Sequence, residues 1–399
     1  MKLYKQVPKQ ILLIGIIGAL VNFSSVIATT FTPLLLVNVF NTNLLLIGFL
    51  EGVVETIALL VKFFSGITSD IAKNKKIPYF LGILMMAISY LIMAVAPSFK
   101  FVFLARFIDR LGNGIQASPR DSMVIDLSDK KTRGICYGIK QSLSIFGSVI
   151  GIIFGIVILK YLDHAYRILF FFTFIVCLSA AITLAYSIQS KIDSSHKREK
   201  FSLSSMFKLP KTVLYMSLIG FTLSLGECST SFLIILAKTK GMNEIYLPTI
   251  MLIKLVAASL IATPAGYIAD HVGIKKTFLV AITMTTCVYF MLSINSLFFT
   301  ILGIIIMGFQ ASISQTTILS HISRHFPPSI IGMVIGIFYL SNGIGIFVIN
   351  TLIGSLWNYL SCKITFLIIA AIFSILATVV FFHTKKQVIQ EGIPSSIFK

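Results

Sequence analysis

The chain has 399 residues, 56% of them hydrophobic and only 12% charged, with a mean hydropathy of +0.94. That composition excludes an ordinary soluble protein of two or three domains and points to a polytopic membrane protein. The net charge of +19 does not point to nucleic acid, because the basic residues form short clusters between apolar runs and not one face or tail.

Taken in order, the chain begins with Lys2, Lys5 and Lys9 ahead of an apolar run too long for a signal-peptide core and without a small-residue cleavage site. It reads as the first membrane helix. With about 20 apolar residues needed per span, twelve helices are predicted, at about 11–37, 44–69, 77–96, 100–127, 134–158, 166–188, 213–237, 246–269, 277–295, 297–320, 331–357 and 364–383. The fourth carries Arg106, Asp109, Arg110, Arg120, Asp121 and Asp126, which a hydropathy window alone would reject. With both termini inside, 21 of the 33 Lys and Arg fall in cytosolic segments, 6 in outer loops and 6 within helices. That asymmetry sets the orientation. Five cysteines (Cys136, Cys177, Cys228, Cys287 and Cys362) lack paired spacing and read as small apolar residues, not disulfides or metal ligands. The Lys- and Ser-rich stretch around 188–212 is the one linker candidate, dividing a six-helix bundle at 1–187 from a second at 213–399 with a short cytosolic tail.

Two internal repeats support that division. Gly66, Asp70, Lys75 and Lys76 recur 200 residues later as Gly266, Asp270, Lys275 and Lys276. Gly134, Gly138 and Gly147 recur at an offset of 198 as Gly332, Gly336 and Gly345. The first pair reads as tight cytosolic loops between membrane helices: Gly allows close helix approach, Asp can face a helix N-terminus, and the Lys pair holds the loop inside. The pattern G-x-x-x-D-x-x-G-x-K-K, complete with Gly273 in the second copy and with Lys73 in place of that Gly in the first, resembles the loop signature of the major facilitator superfamily. The resemblance covers essentially the whole chain. It implies an all-α membrane fold of twelve helices in two pseudo-symmetric bundles that rock about a central site.

Charged residues inside membrane helices are the informative ones, since each costs several kcal/mol unless paired or facing water. Glu51, Glu55 and Lys62 fall on one stripe of helix 2 at about 100° per residue, together with Gly66. Helix 4 presents Arg106, Arg110, Asn113 and Arg120, with Asp109 beside them and Gly112 and Gly114 allowing close packing. The two stripes are expected to meet, with Glu51 near Arg106 and Glu55 at the depth of Asn113. Arg110-Leu-Gly-Asn113-Gly114 is similar to the superfamily's helix 4 motif, with Asn113 in place of the usual Gln, and the resemblance assigns Arg110 to proton coupling and cavity lining. The residues agree: repulsion between two carboxylates one turn apart favours one of them holding a proton, and an approaching or withdrawing Arg would release or recapture it. The competing reading is a static ion-pair cluster of Glu51, Glu55, Arg106, Asp109 and Arg110 that ties the two helices together.

In the second half, Glu227 and Lys254 are the charged residues at membrane depth and a candidate pair. Because helices 1, 4, 7 and 10 line the cavity in the superfamily, Asn22, Ser25, Asn113, Glu227, Gln310 and Gln315, with Lys254, are the substrate-contact candidates; interhelical glue is the plainer alternative for the uncharged ones. Lys62, Arg120, Asp121 and Lys140 lie near the cytosolic end as an inner-gate candidate. Gly138, Gly147, Gly151 and Gly155 of helix 5 resemble half of the superfamily's antiporter motif, with Ile152 and Ile156 departing from it; a glycine face packed on helix 8 or 10 weighs equally. No His lies at mid-membrane, which argues against a histidine relay.

These features describe a secondary active transporter, not an enzyme, moving a small organic solute by alternating access in a bacterial inner membrane, with both termini cytosolic. The transmembrane proton gradient is its expected energy source, with no cofactor and no metal, and a monomer is expected. The partial helix 5 motif tilts the reading to efflux by antiport. Uptake by proton symport and a non-transporting sensor on the same scaffold are the alternatives.

Overall fold

A computed structural model of the chain describes residues 8–71, 74–128, 133–162, 165–187, 211–272, 274–325 and 328–387. Among these residues there are thirteen α-helices, one 3-10 turn and no strand. Helix is what an apolar chain adopts in a bilayer, because it satisfies every backbone N–H and C=O within one segment. The first six helices are α1 (Lys9–Asn38), α2 (Leu44–Ile71), α3 (Lys76–Ala94), α4 (Phe99–Leu127), α5 (Arg133–Tyr161) and α6 (Tyr166–Ser187). They follow the first six predicted spans to within a few residues. Among the described residues, eight stretches are long and apolar enough to cross a membrane. The α4 helix is not among them, as its charges foretell.

The seventh predicted run is not one helix. It divides into α7 (Lys211–Ser224) and α8 (Thr230–Thr239), separated by Leu225-Gly-Glu-Cys-Ser229. Gly226 and the polar Glu227 interrupt the apolar run, and Ser229 restarts it as an N-cap whose hydroxyl accepts from the Ser231 amide. After the 3-10 turn Glu244–Tyr246 come α9 (Thr249–Val272), α10 (Ile274–Ser293), α11 (Leu297–His325), α12 (Pro328–Tyr359) and α13 (Cys362–Gln387).

The chain forms two compact units. Unit 1 comprises residues 1–202 together with 229–252; unit 2 comprises 203–228 and 253–399. In unit 1, α1 packs on α5 and α6, α3 on α4 and α6, and α2 on α4. In unit 2, α7 packs on α12, and α10 on α11 and α13. The second set repeats the first, as an internal duplication requires.

Glycines set the closest approaches. A Cβ on Gly147 would meet the Ala19 carbonyl of α1, and one on Gly151 would lie 2.7 Å from the Phe23 carbonyl. Gly147 and Gly151 therefore seat α5 on α1. Gly345, the repeat of Gly147, plays the same part against Phe221 and Ser224 of α7. Gly112 of α4 meets the Gly82 carbonyl of α3, and Gly114 meets Val61 of α2. These two approaches clamp α4 between its neighbours and fix the register of its charged face.

Candidate functional site

That charged face meets α2 in unit 1. Arg106 and Asp109 stand one turn apart on α4, with Nη1 of Arg106 donating to Oδ2 of Asp109 over 3.3 Å. Nη2 of Arg106 lies 3.7 Å from Oε1 of Glu51, beyond hydrogen-bond reach. Nη2 of Arg110 lies 3.0 Å from Oε1 of Glu55, and its Nε lies 3.9 Å from Oδ2 of Asp109. The five residues thus form an alternating row: Glu51, Arg106, Asp109, Arg110, Glu55.

Burial along the row is uneven. The side chains of Arg106 and Asp109 are 0% exposed, Glu51 2%, Arg110 9% and Glu55 34%. Only the Glu55 end is reached readily from outside the protein interior. Neutral groups complete the row. Tyr90 of α3 donates its hydroxyl to Oδ1 of Asp109 over 2.7 Å, and Nη2 of Arg110 donates to Oγ1 of Thr29 on α1 over 3.0 Å. Glu51 accepts from Ser231 Oγ over 2.9 Å and from Ser229 Oγ over 3.1 Å, both at the start of α8. Charge-assisted bonds of this kind are the strong ones in a dry interior. Nε and Nη2 of Arg106 and Nε of Arg110 have no hydrogen-bond partner among the described residues.

Three acids and two bases leave the row with one surplus negative charge when all are ionised. One proton, or one bound cation, neutralises it. An apolar interior disfavours an uncompensated charge, so the row is built to take up and give back one positive charge.

The inner-gate candidates also come together. Nζ of Lys140 lies 2.6 Å from Oδ1 of Asp121, Nε of Arg120 lies 3.2 Å from the same oxygen, and Lys62 interacts electrostatically with all three. At the first loop, Lys75 pairs with Asp126 over 2.6 Å and Lys76 donates to the Ala185 carbonyl over 2.7 Å, so the loop is tied to α4 and α6. The side chains of Gly66, Asp70, Gly266, Asp270, Lys275, Lys276 and Gln315, and all of Gly273, lie outside the described residues.

The remaining cavity candidates are dispersed. Asn22, Ser25 and Asn113 are half-buried in unit 1. Gln310 is buried in unit 2 and donates to Ser314 one turn on, over 3.2 Å. Glu227 sits in the break between α7 and α8 and interacts with Tyr289, while Lys254 interacts with Cys228.

Sequence reasoning missed four partners of the row. Thr29 and Tyr90 carry no pattern that marks them. Ser229 and Ser231 had a signal, since a Ser-Thr-Ser cluster after Gly and Glu inside an apolar run is a helix restart. It also missed a polar knot at the other end of α8. There Lys238 Nζ donates to Asn38 Oδ1 over 2.7 Å and lies 2.5 Å from Glu244, while Asn38 donates to the Tyr166 hydroxyl over 3.1 Å.

Comparison with known proteins agrees with this architecture. The sequence matches the Major Facilitator Superfamily over residues 13–263 and 229–395. It is 24% identical over 374 residues to an uncharacterised MFS-type transporter of Methanocaldococcus jannaschii, covering 91% of this chain and 92% of that one. Among solved structures it is similar to a bacterial homologue of the human lysosomal transporter Spinster, with a TM-score of 0.77 at 14% identity over 98% of this chain and 100% of the other. It is also similar to the nucleoside transporter NupG, with a TM-score of 0.78 at 14% identity over 94% and 99% of the two chains. A POT family transporter in complex with a peptide gives a TM-score of 0.76 at 12% identity over 95% and 96%. At these identities the structural likeness speaks to the fold.

Proposed function

Since the chain belongs to the Major Facilitator Superfamily and is a multi-pass membrane transporter, we propose that it exchanges protons for a small polar organic solute across the inner membrane by alternating access. The observation that carries this reading is the odd number of carboxylates in the row, with Glu55 alone reachable. A proton and the amine of a polar or zwitterionic solute would compete for the one surplus negative charge, which is the condition for antiport. Gly147 and Gly151 have a packing role against α1, beside the partial antiporter motif of helix 5 that leans the reading to efflux. Asn22, Ser25 and Asn113 from the first half, and Glu227, Lys254, Gln310 and Gln315 from the second, are the proposed solute contacts. Lys62, Arg120, Asp121 and Lys140 are the proposed inner gate. The Gly66 to Lys76 and Gly266 to Lys276 loops are the proposed cytosolic conformational elements, with both termini on that side.

The test uses the purified protein in proteoliposomes loaded with a pH dye, challenged with pools of amino acids, organic acids, sugars, nucleosides and cationic drugs under gradients of either sense. A pool that drives protons in the opposite direction to its own movement is the expected result. Glu55→Gln is expected to bring gradient-driven flux to background while exchange of labelled solute partly persists. Driven flux that survives this substitution removes Glu55 from the coupling mechanism; co-directional movement replaces antiport with symport.

A further inference from the structure

The segment Ser229–Leu252 belongs to unit 1 by its packing, yet its chain continues into unit 2 at both ends. It is held in unit 1 by contacts and not by connectivity. Phe232, Leu233, Ile234, Leu236 and Ala237 of α8 are buried there, and its polar attachments include the knot of Lys238, Glu244 and Asn38 and the pair of serines on Glu51.

The distances along the charged row alternate. Arg106 to Asp109 and Arg110 to Glu55 are close, at 3.3 and 3.0 Å, whereas Glu51 to Arg106 and Asp109 to Arg110 are open, at 3.7 and 3.9 Å. Two arginines serve two carboxylates, and Glu51 is the one left over. Its charge is met instead by Ser229 and Ser231 and by the N-terminus of the ten-residue α8. Arg106 correspondingly leaves Nε and Nη2, fully buried, without a hydrogen-bond partner among the described residues.

We propose that the row is a relay that re-pairs along its length, so that a proton arriving at Glu55 releases α8 from Glu51 without either touching the other. Neutral Glu55 no longer competes for Arg110, which closes on Asp109. Asp109 then weakens its hold on Arg106, whose unpartnered N–H groups close on Glu51. Glu51 leaves the serines, and α8 loses that polar attachment. The arriving proton takes the row from one surplus negative charge to none; two arginines and two ionised carboxylates stay paired, and the leftover carboxylate is now the protonated one. The groups facing the row from the packed elements are consistent with this, and they include the buried Cys177 thiol of α6, which interacts with Asp109 and Tyr90. Tyr90 on α3 and Thr29 on α1 are neutral hydroxyls that can follow Asp109 and Arg110, and the one charged residue of α8, Lys238, is occupied at its far end.

Amide hydrogen exchange on the full-length protein in lipid nanodiscs tests the relay independently of transport, so a failure to find a solute leaves it decidable. Glu55→Gln mimics the protonated residue. It is expected to raise exchange of the α8 amides by about tenfold, the worth of one hydrogen bond to a charged acceptor, with α3 unchanged as the folding reference. In a Ser231→Ala background, where one of the two serine bonds to Glu51 is already gone and the Ser229 cap is kept, Glu55→Gln is expected to add a smaller increase. Unaltered α8 exchange in Glu55→Gln overturns the relay, as does an increase of the same size with Ser231→Ala present. Should Glu55→Gln disturb α3 as well, wild type and Ser231→Ala are compared at low and neutral pH after correction for intrinsic exchange: acid loosening of α8 that is greater in wild type supports the relay, and equal loosening in both overturns it.

Discussion

Arg106 is the largest fully buried side chain among the described residues. A guanidinium in an apolar interior costs several kcal/mol unless its charge is matched, and removing one member of a buried pair costs more than removing both. Arg106→Met keeps the length of the side chain but strands Asp109, whose remaining close partner is the Tyr90 hydroxyl. We expect it to destabilise unit 1 by about 3–5 kcal/mol. Adding Asp109→Asn, which removes the stranded charge while keeping an acceptor for Tyr90, is expected to recover part of the loss. Thermal unfolding of the single and double variants in one detergent checks the order. A double variant less stable than Arg106→Met would mean that Asp109 is stabilised by something other than its arginines.

At the scale of elements, close approach is decided by where a Cβ has room. Gly147 and Gly138 lie on the same helix and differ entirely in this respect: a Cβ on Gly147 would meet the Ala19 carbonyl, whereas one on Gly138 would find nothing within 4 Å. Gly147→Ala is expected to cost roughly 1–3 kcal/mol by forcing α1 and α5 apart. Gly138→Ala is expected to be neutral or to stabilise by up to about 1 kcal/mol through helix propensity. Unfolding temperatures of the two variants, measured side by side, separate the packing role from a general intolerance of substitution in α5. The elements themselves were largely legible in the sequence. Apolar runs of membrane length announce their helices, and the charged stripes of helices 2 and 4 could be matched because a helix has a fixed angular period. The break at Leu225–Ser229 was hidden, because the run on either side of it adds up to one full span. The serines on Glu51 were hidden for another reason: they lie 178 and 180 residues away from it in the chain, and no local pattern records such a contact. The partners of Asn38 were invisible on the same ground, with Lys238 200 residues distant.

At the scale of the whole molecule, duplication and packing draw different boundaries. The repeats place the second half of the chain after the Lys- and Ser-rich stretch, and the helix pairings of unit 2 copy those of unit 1. Yet the second half lends residues 229–252 to unit 1, and that loan is substantial. The buried face of α8 includes Phe232, Leu233 and Leu236, and burying side chains of this size against protein gives tight van der Waals packing, the main source of helix association inside a membrane. The attachment is therefore expected to survive loss of the covalent link between the halves. A protease site inserted between positions 191 and 200, cut after purification in mild detergent, should leave two fragments that co-elute on size exclusion and separate only on denaturation. Glu51→Leu together with Lys238→Met removes the acceptor of the two serines and the lysine's bonds to Asn38 and Glu244 while sparing the apolar face of the segment. If packing dominates, the nicked double variant stays associated; if the polar contacts dominate, it separates where the nicked wild type does not. Separation of the nicked wild type itself would mean that the chain connection, not the packing of 229–252, keeps this segment in unit 1.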